Sequence, residues 1–342
     1  MKQNIVMLDN DLQEASEYLK ALIEESGDNW IPKFLKANET QGKLVLNIKR
    51  YLKYIYFPFK VFLQRKQYNV IIGWQAFYGV FFAFYCRLFN VKKENKLVIQ
   101  HFIYKRKKGI VGVIYDKFIH YAVNEKYVDL ILTCSRPYVD ELIREFDLPT
   151  NKVAFVPFGV NDFSLWQNEN DLEEKEFIFS VGRSNRDWEF LISALKKQKQ
   201  KSIICCDTLH VDNLPSHIIV KNDVTGTESF KYMENCKCAV IPIDDGRLSA
   251  GETVLLQQMC FGKPIIITRP SSLASGYIDD GINGIVIDKD EDQLLSAITK
   301  LYSDNAYCEM LSKNAREDFV RKYSLYSHGV HVIHQLKKHH LI

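Results

Sequence analysis

The chain has 342 residues, 46% of them apolar and 25% charged, with a formal net charge of +3. That length is too great for one ordinary core and suits two domains of about 150 to 200 residues, and the composition excludes a disordered or low-complexity protein. The charge is unevenly placed. Residues 41–108 hold fifteen Lys or Arg against a single acid, Glu94, a net +14, while the remainder carries −11, so one surface of the N-terminal half is expected to be strongly positive and to attract phosphate-rich partners.

The opening MKQNIVMLDNDLQEAS reads as a first strand rather than a secretory signal, which points to the cytoplasm. Short apolar runs then alternate with longer amphipathic stretches, the pattern of βαβ units around a parallel sheet. Strands are expected at 4–8, 30–35, 70–73, 96–100, 130–133 and 153–157. The run VIIGWQAFYGVFFAFYC at 70–86 is long enough to suggest a membrane span, but Gly73 and Gln75 divide it into a strand and a helix. Two stretches, 43–66 and 104–121, interleave Lys and Arg with Tyr and Phe, the composition of a segment that lies on an anionic membrane surface; Pro58 is expected to kink the first. A solvated basic face over a normal core is the plainer alternative. Nucleic acid would also want such a patch, but no nucleic-acid-binding module accompanies it.

Residues 159–176 are polar and acidic without apolar periodicity and mark a linker. We place one domain at 1–160 and a second at 161–325. A final helix is expected from about Leu311 to Lys338, and its end, 326–342, is a candidate to return to the first domain. The strand pattern restarts in the second half at 177–181, 202–206, 218–220, 239–243, 264–268 and 284–287. Eight cysteines lie scattered in apolar segments without CxxC spacing, which suits buried, reduced thiols.

In doubly wound sheets ligands bind beyond the carboxyl ends of the strands, so the loops that follow each strand are the ones to read. In FIFSVGRSNRDWEFLISALKK, 177–197, Gly182 ends a strand and Arg183 and Arg186 flank a helix start. Two guanidinium groups beside a positive helix end suit a diphosphate, although an ordinary strand-to-helix turn with surface arginines has the same residues. In LSAGETVLLQQMCFGKPIIIT, 248–268, Ser249, Ala250 and Gly251 open a second helix, whose amides together with the hydroxyls of Ser249 and Thr253 can cradle phosphate. The acidic pair Asp244-Asp245, before Gly246, reads as a solvated loop.

The order of these pieces, followed by DGINGIVI and LSKNARE, resembles the donor domain of retaining GT-B glycosyltransferases, family 4 and its relatives, over about 177–325. The resemblance implies an α/β, GT-B architecture of two Rossmann-like domains facing a cleft. It implies a glycosyltransferase that moves a sugar from a nucleotide-diphosphate sugar, a UDP-sugar in the first place, to a glycan or lipid-linked acceptor, with retention and without a metal or other cofactor. Gly182, Arg183 and Arg186 would contact the diphosphate, and Ser249, Ala250, Gly251, Glu252 and Thr253 would face the phosphates and sugar. Many members have two glutamates with seven residues between them; here Ser249 and Gln257 occupy those places, Gln257 being able to reach a ribose hydroxyl. The base would lie at 221–224, near Asn222 and Val224. His101, at the end of KLVIQ, stands where relatives have a histidine, and would orient or stabilise the donor phosphates. An inverting transferase or a sugar-nucleotide epimerase would instead use His101 or Asp116 as base. The missing glutamates also admit a catalytically degenerate scaffold.

Overall fold

A computed structural model of the chain describes residues 2–9, 12–35, 44–164, 172, 175–246 and 250–342, with the backbone alone at 44–48. It forms two compact units, 1–158 with 325–342, and 159–324.

Unit 1 runs β1 (Gln3–Leu8), α1 (Ser16–Ser26), β2 (Trp30–Phe34), α2 (Leu44–Leu63), β3 (Tyr68–Gly73), α3 (Ala76–Leu88), β4 (Lys96–Ile99), α4 (Gly109–Ala122), β5 (Leu130–Thr133), α5 (Arg136–Phe146) and β6 (Val153–Phe155). Every pairing is parallel, in the order β2-β1-β3-β4-β5-β6. The apolar run at 70–86 divides as its Gly and Gln suggest. Gln75 caps α3 by accepting from the Phe77 amide, and no described helix is long and apolar enough to cross a membrane. The helix assignment of α2 continues through Pro58, where a kink was expected.

Unit 2 runs β7 (Ile178–Val181), α6 (Trp188–Leu195), β8 (Ser202–Cys205), β9 (Ile218–Lys221), α7 (Phe230–Asn235), β10 (Cys238–Ile241), α8 (Glu252–Cys260), β11 (Ile265–Thr268), α9 (Ser272–Tyr277), β12 (Ile285–Ile287), α10 (Glu291–Ser303) and α11 (Asn305–Asp318). Its parallel sheet has the order β12-β11-β10-β7-β8-β9. The strands are rich in Ile and Val, and β8, β10 and β11 are buried along their whole length, as strands covered on both faces must be. All eight cysteines are buried free thiols.

The expected single helix from 311 to 338 is two helices. Buried Asp318 accepts from Asn283 at 2.8 Å and from Lys322 at 2.9 Å. The next turn, 319–323, widens so that the Ser324 amide reaches back five residues to the Phe319 carbonyl at 2.8 Å. Ser324 is extended and bridges Val160. Beyond it α12 (Leu325–Lys338) belongs to unit 1, where Leu325, Val332, Ile333 and Leu336 join the core of Val6, Leu8, Tyr18 and Leu22. Gly329 is required at the crossing of α12 with α1: a β-carbon there would stand 2.6 Å from the Ala21 β-carbon and 2.9 Å from the Tyr18 carbonyl oxygen.

Candidate active site

In unit 2 strand order reverses between β7 and β10, the two neighbours whose connections run to opposite sides of the sheet. The crevice at such a switch point is where a doubly wound sheet takes its ligand. The loops that leave these two strands are Gly182–Asp187 and the segment from Asp244 to Gly251, the two singled out in the sequence.

Arg186 ties them together. Its Nε donates to the Val181 carbonyl at 3.3 Å and its Nη1 to the carbonyls of Ser184 and Asn185 at 3.2 and 3.3 Å. A β-carbon at Gly182 would meet its Nε at 3.0 Å, and one at Gly251 its Nη1 at 2.9 Å. Gly182 has φ 141° and Gly251 φ 114°, so only glycine suits either position, both for its backbone and for the space the guanidinium takes. Asn185 adds a second link: its Nδ2 donates to the Asp245 carbonyl at 3.0 Å and its Oδ1 accepts from the Asp245 amide at 2.7 Å. Burial pushes the Arg186 guanidinium down to about 10, opposed by the nearby Glu252 carboxylate, so the side chain stays cationic. Arg186 is therefore 9% exposed, a buried cation behind the loops rather than the surface arginine of an ordinary turn.

Arg183 is at the surface, with 54% of its side chain exposed. Its Nε donates to Asp207 Oδ1 at 2.9 Å, and a second bond joins its Nη2 to the same carboxylate. Asp207 follows β8. Next to Arg186, α8 begins after Gly251, so no side chain caps its first turn. Ala250 and Gln257 are half-buried, Glu252 is buried and Thr253 is exposed. Ser249 lies outside the described residues. Asp244 is exposed and Asp245 half-buried in a turn. Asn222 uses its amide nitrogen on the carbonyls of Cys206 and Leu209 at 2.6 and 2.7 Å, and the Val224 side chain packs in the core. For a nucleobase the loop 221–224 thus offers main chain in preference to these two side chains.

In unit 1 the ends of β3 and β4 gather a second set of groups. The Tyr18 hydroxyl donates to Gln100 Oε1 at 2.7 Å, which fixes the orientation of that amide. Gln100 Nε2 then lies 2.6 Å from His328 Nε2 and 3.4 Å from His101 Nε2. His328 Nδ1 lies 2.7 Å from the Pro157 carbonyl. A single tautomer satisfies the chain: His328 carries its proton on Nδ1, donates it to Pro157, and accepts at Nε2. His101 likewise accepts at Nε2, which leaves its Nδ1–H as a buried donor with no protein partner. Burial, with the neighbouring His328 in second place, holds the His101 pKa well below the usual histidine value, so the imidazole is a neutral donor rather than a cation. His101 has φ 54° and stacks 4.8 Å from His328, with the Phe158 ring tilted against it at 4.9 Å.

Asp116, a candidate base for an inverting reaction, accepts a hydrogen bond from the Tyr104 hydroxyl. It also groups with His120 and Glu145, their ligand atoms all within 4.8 Å. The group closes on itself: His120 uses both nitrogens on the carbonyls of Asp116 and Glu145 at 2.9 and 3.1 Å, and Arg106 forks onto the Glu145 carboxylate. Tyr18, Gln100 and His328 escaped sequence analysis, since they are 82 and 228 residues apart along the chain and no local pattern joins them.

Residues 162–318 match the family model for glycosyl transferases group 1. An uncharacterized glycosyltransferase of Methanocaldococcus jannaschii is 23% identical over 222 residues, which are 57% of this chain and 56% of that protein, so the match spans little more than half of the relative's length. Anabaena HepE, solved in complex with UDP, superposes with a TM-score of 0.66 at 14% identity, covering 99% of this chain and 100% of that one. Sucrose-phosphate synthase from Thermosynechococcus elongatus gives 0.66 at 15% identity over 98% of each. The chain has the GT-B glycosyltransferase fold.

Proposed function

We propose that this protein transfers a hexosyl unit from a nucleotide-diphosphate sugar, a UDP-sugar in the first place, to a glycan or lipid-linked acceptor, with retention of configuration. The observation that carries the proposal is Arg186, a cation buried between the two switch-point loops of unit 2 beside the uncapped start of α8. When the nucleotide diphosphate leaves, negative charge grows on its phosphate while the sugar takes on oxocarbenium character. Arg186, the first-turn amides of α8 and the exposed Arg183 would hold that charge without a divalent ion. In this proposal Gln257 reaches a ribose hydroxyl, and His101, in unit 1, offers its Nδ1–H to a bound ligand. Relatives of the fold solved with UDP and with UDP-glucose support the choice of donor.

A thermal-shift screen of UDP, GDP, ADP and CMP with their sugars tests this. A ligand at one hundred times its Kd raises stability by about 2.7 kcal/mol, and one nucleotide diphosphate is expected to do so. Arg183→Ala, at an exposed position, is expected to leave the melting temperature alone and weaken that ligand about ten- to hundredfold, the loss of charge-assisted bonds. No shift from any nucleotide, or an equal shift in the variant, defeats the proposal. Turnover is expected to persist in excess EDTA; its loss would assign the charge to a metal instead.

The acceptor is proposed to arrive from an anionic membrane surface, with the protein peripheral on its cytoplasmic side. Unit 1 shows Ile110 82%, Val111 72% and Ile114 64% exposed at the start of α4, directly after the basic run 105–108. The outer face of α2 adds Leu52, Tyr56 and Leu63, each more than half exposed. Apolar side chains ringed by cations match the boundary between headgroups and acyl chains. The double variant Ile110→Asp, Ile114→Asp is expected to bind phosphatidylglycerol-containing vesicles at least about tenfold more weakly at low salt. Equal co-sedimentation of the two proteins would remove the membrane from the proposal.

A further inference from the structure

A cavity of about 710 Å³ lies along the outer edge of the unit 1 sheet. One wall is β6, which pairs only with β5. The others are the start of α5, through Arg136 and Asp140, and one face of α12 and the residue that follows it, through His331, His334, Gln335, Lys338 and His339. The α12 residues recur at the spacing of a single helical face, while Val332, Ile333 and Leu336 between them are buried in the core. The cavity runs beside the length of the edge strand, from Thr150 before β6 to Pro157 beyond it, and meets the cluster around His101 at Pro157.

Its chemistry is selective. Arg136 lies 4.2 Å over the Phe155 ring, which sets the plane of its guanidinium. Arg136 and Lys338 bring two fixed positive charges against one carboxylate, Asp140. Gln335 Oε1 is buried without a hydrogen-bond partner. Three imidazoles line the same space, yet among the described residues their nitrogens do not converge as metal ligands do, the only such convergence being that of Asp116, His120 and Glu145. Cations that attract an anion, with imidazoles and an unpaired amide oxygen that pair with hydroxyl groups, fit a sugar bearing an acidic group.

We infer that this cavity is a second saccharide site, which takes a sugar carrying a phosphate or a carboxylate: the acidic group between Arg136 and Lys338, the hydroxyls against the histidines and Gln335. The inference stands apart from the donor site in unit 2. Binding to the full chain is measured by titration calorimetry with glucose 6-phosphate, glucuronate, glucose and inorganic phosphate, each in the presence of saturating UDP. At least one of the two acidic sugars is expected to bind about tenfold or more tighter than glucose and phosphate, and which one does so identifies the acidic group. The double variant Arg136→Gln, Lys338→Gln is expected to lose that affinity about tenfold or more, and His334→Ala, at an exposed position, to weaken it severalfold. Arg183→Ala is expected to leave it unchanged. Acidic sugars that bind no better than glucose or phosphate, or that bind the double variant or His334→Ala as well as the parent, overturn the inference. Loss of binding in Arg183→Ala does the same, since it would place the ligand in unit 2.

Discussion

Arg186→Ala is expected to destabilise unit 2 by about 3–5 kcal/mol and to abolish nucleotide-sugar binding together, because one side chain serves both ends. Its removal strips the Val181, Ser184 and Asn185 carbonyls of their donor and leaves buried Glu252 without the nearby positive charge. Gly182 and Gly251 would then border an empty space where the guanidinium had filled it. Arg186→Lys keeps the charge but not the planar fork that reaches several carbonyls at once, so it is expected to recover little of either property. Urea denaturation of unit 2 alongside UDP binding reads both effects. A variant with parental stability would show that the two loops hold their places without the arginine.

The second large effect is a loss of stability in mild acid. His328 is fully buried, and its pKa is pushed down to about 4, by burial first and by His331 in addition, against the pull of the Pro157 carbonyl. In the unfolded chain the imidazole takes up its proton near 6.5, whereas in the folded chain it resists to about 4, so acid favours the unfolded state throughout that interval. The contribution is complete above about pH 6.5 and falls as pH decreases, the loss reaching about 3 kcal/mol at pH 4. The geometry explains the resistance, since protonated Nε2 would face the Gln100 amide group, whose orientation Tyr18 fixes. His101 is depressed in the same way and adds to the slope. Denaturation curves between pH 6.5 and 5 are expected to lose about 1.4 kcal/mol per pH unit for each fully engaged histidine, and His328→Gln to flatten the slope by one proton. A parental slope near zero would mean that the pair is protonated in the folded protein.

Both sheets were legible in the sequence because most of their strands are short apolar runs rich in Ile and Val, and the twelve described strands lie where such runs were expected. What lay outside local pattern was not. The break after Asp318 depends on bonds from Asn283, 35 residues earlier in the chain, and nothing in residues 311–338 announces it. Arg183 and Arg186 look alike in the sequence, three residues apart, yet one is exposed beside Asp207 and the other buried. The difference comes from Gly182 and Gly251, which open the space only once the two loops meet. Asn222 was expected to serve a nucleobase, but its amide nitrogen is spent on main-chain carbonyls. His101 could be picked out by its place after β4, but its proton could be located only through Gln100, Tyr18 and His328.

The passage of α12 into the first unit also sets an order of events during synthesis. The first 158 residues leave the ribosome without the segment that covers Tyr18, Ala21 and Leu22, and the 166 residues of unit 2 must be made before it follows. Unit 2 is one continuous stretch and can close as soon as it emerges. Unit 1, begun first, is finished last, and in the interval its α1 face is an uncovered apolar surface of the kind that chaperones bind and that seeds aggregation.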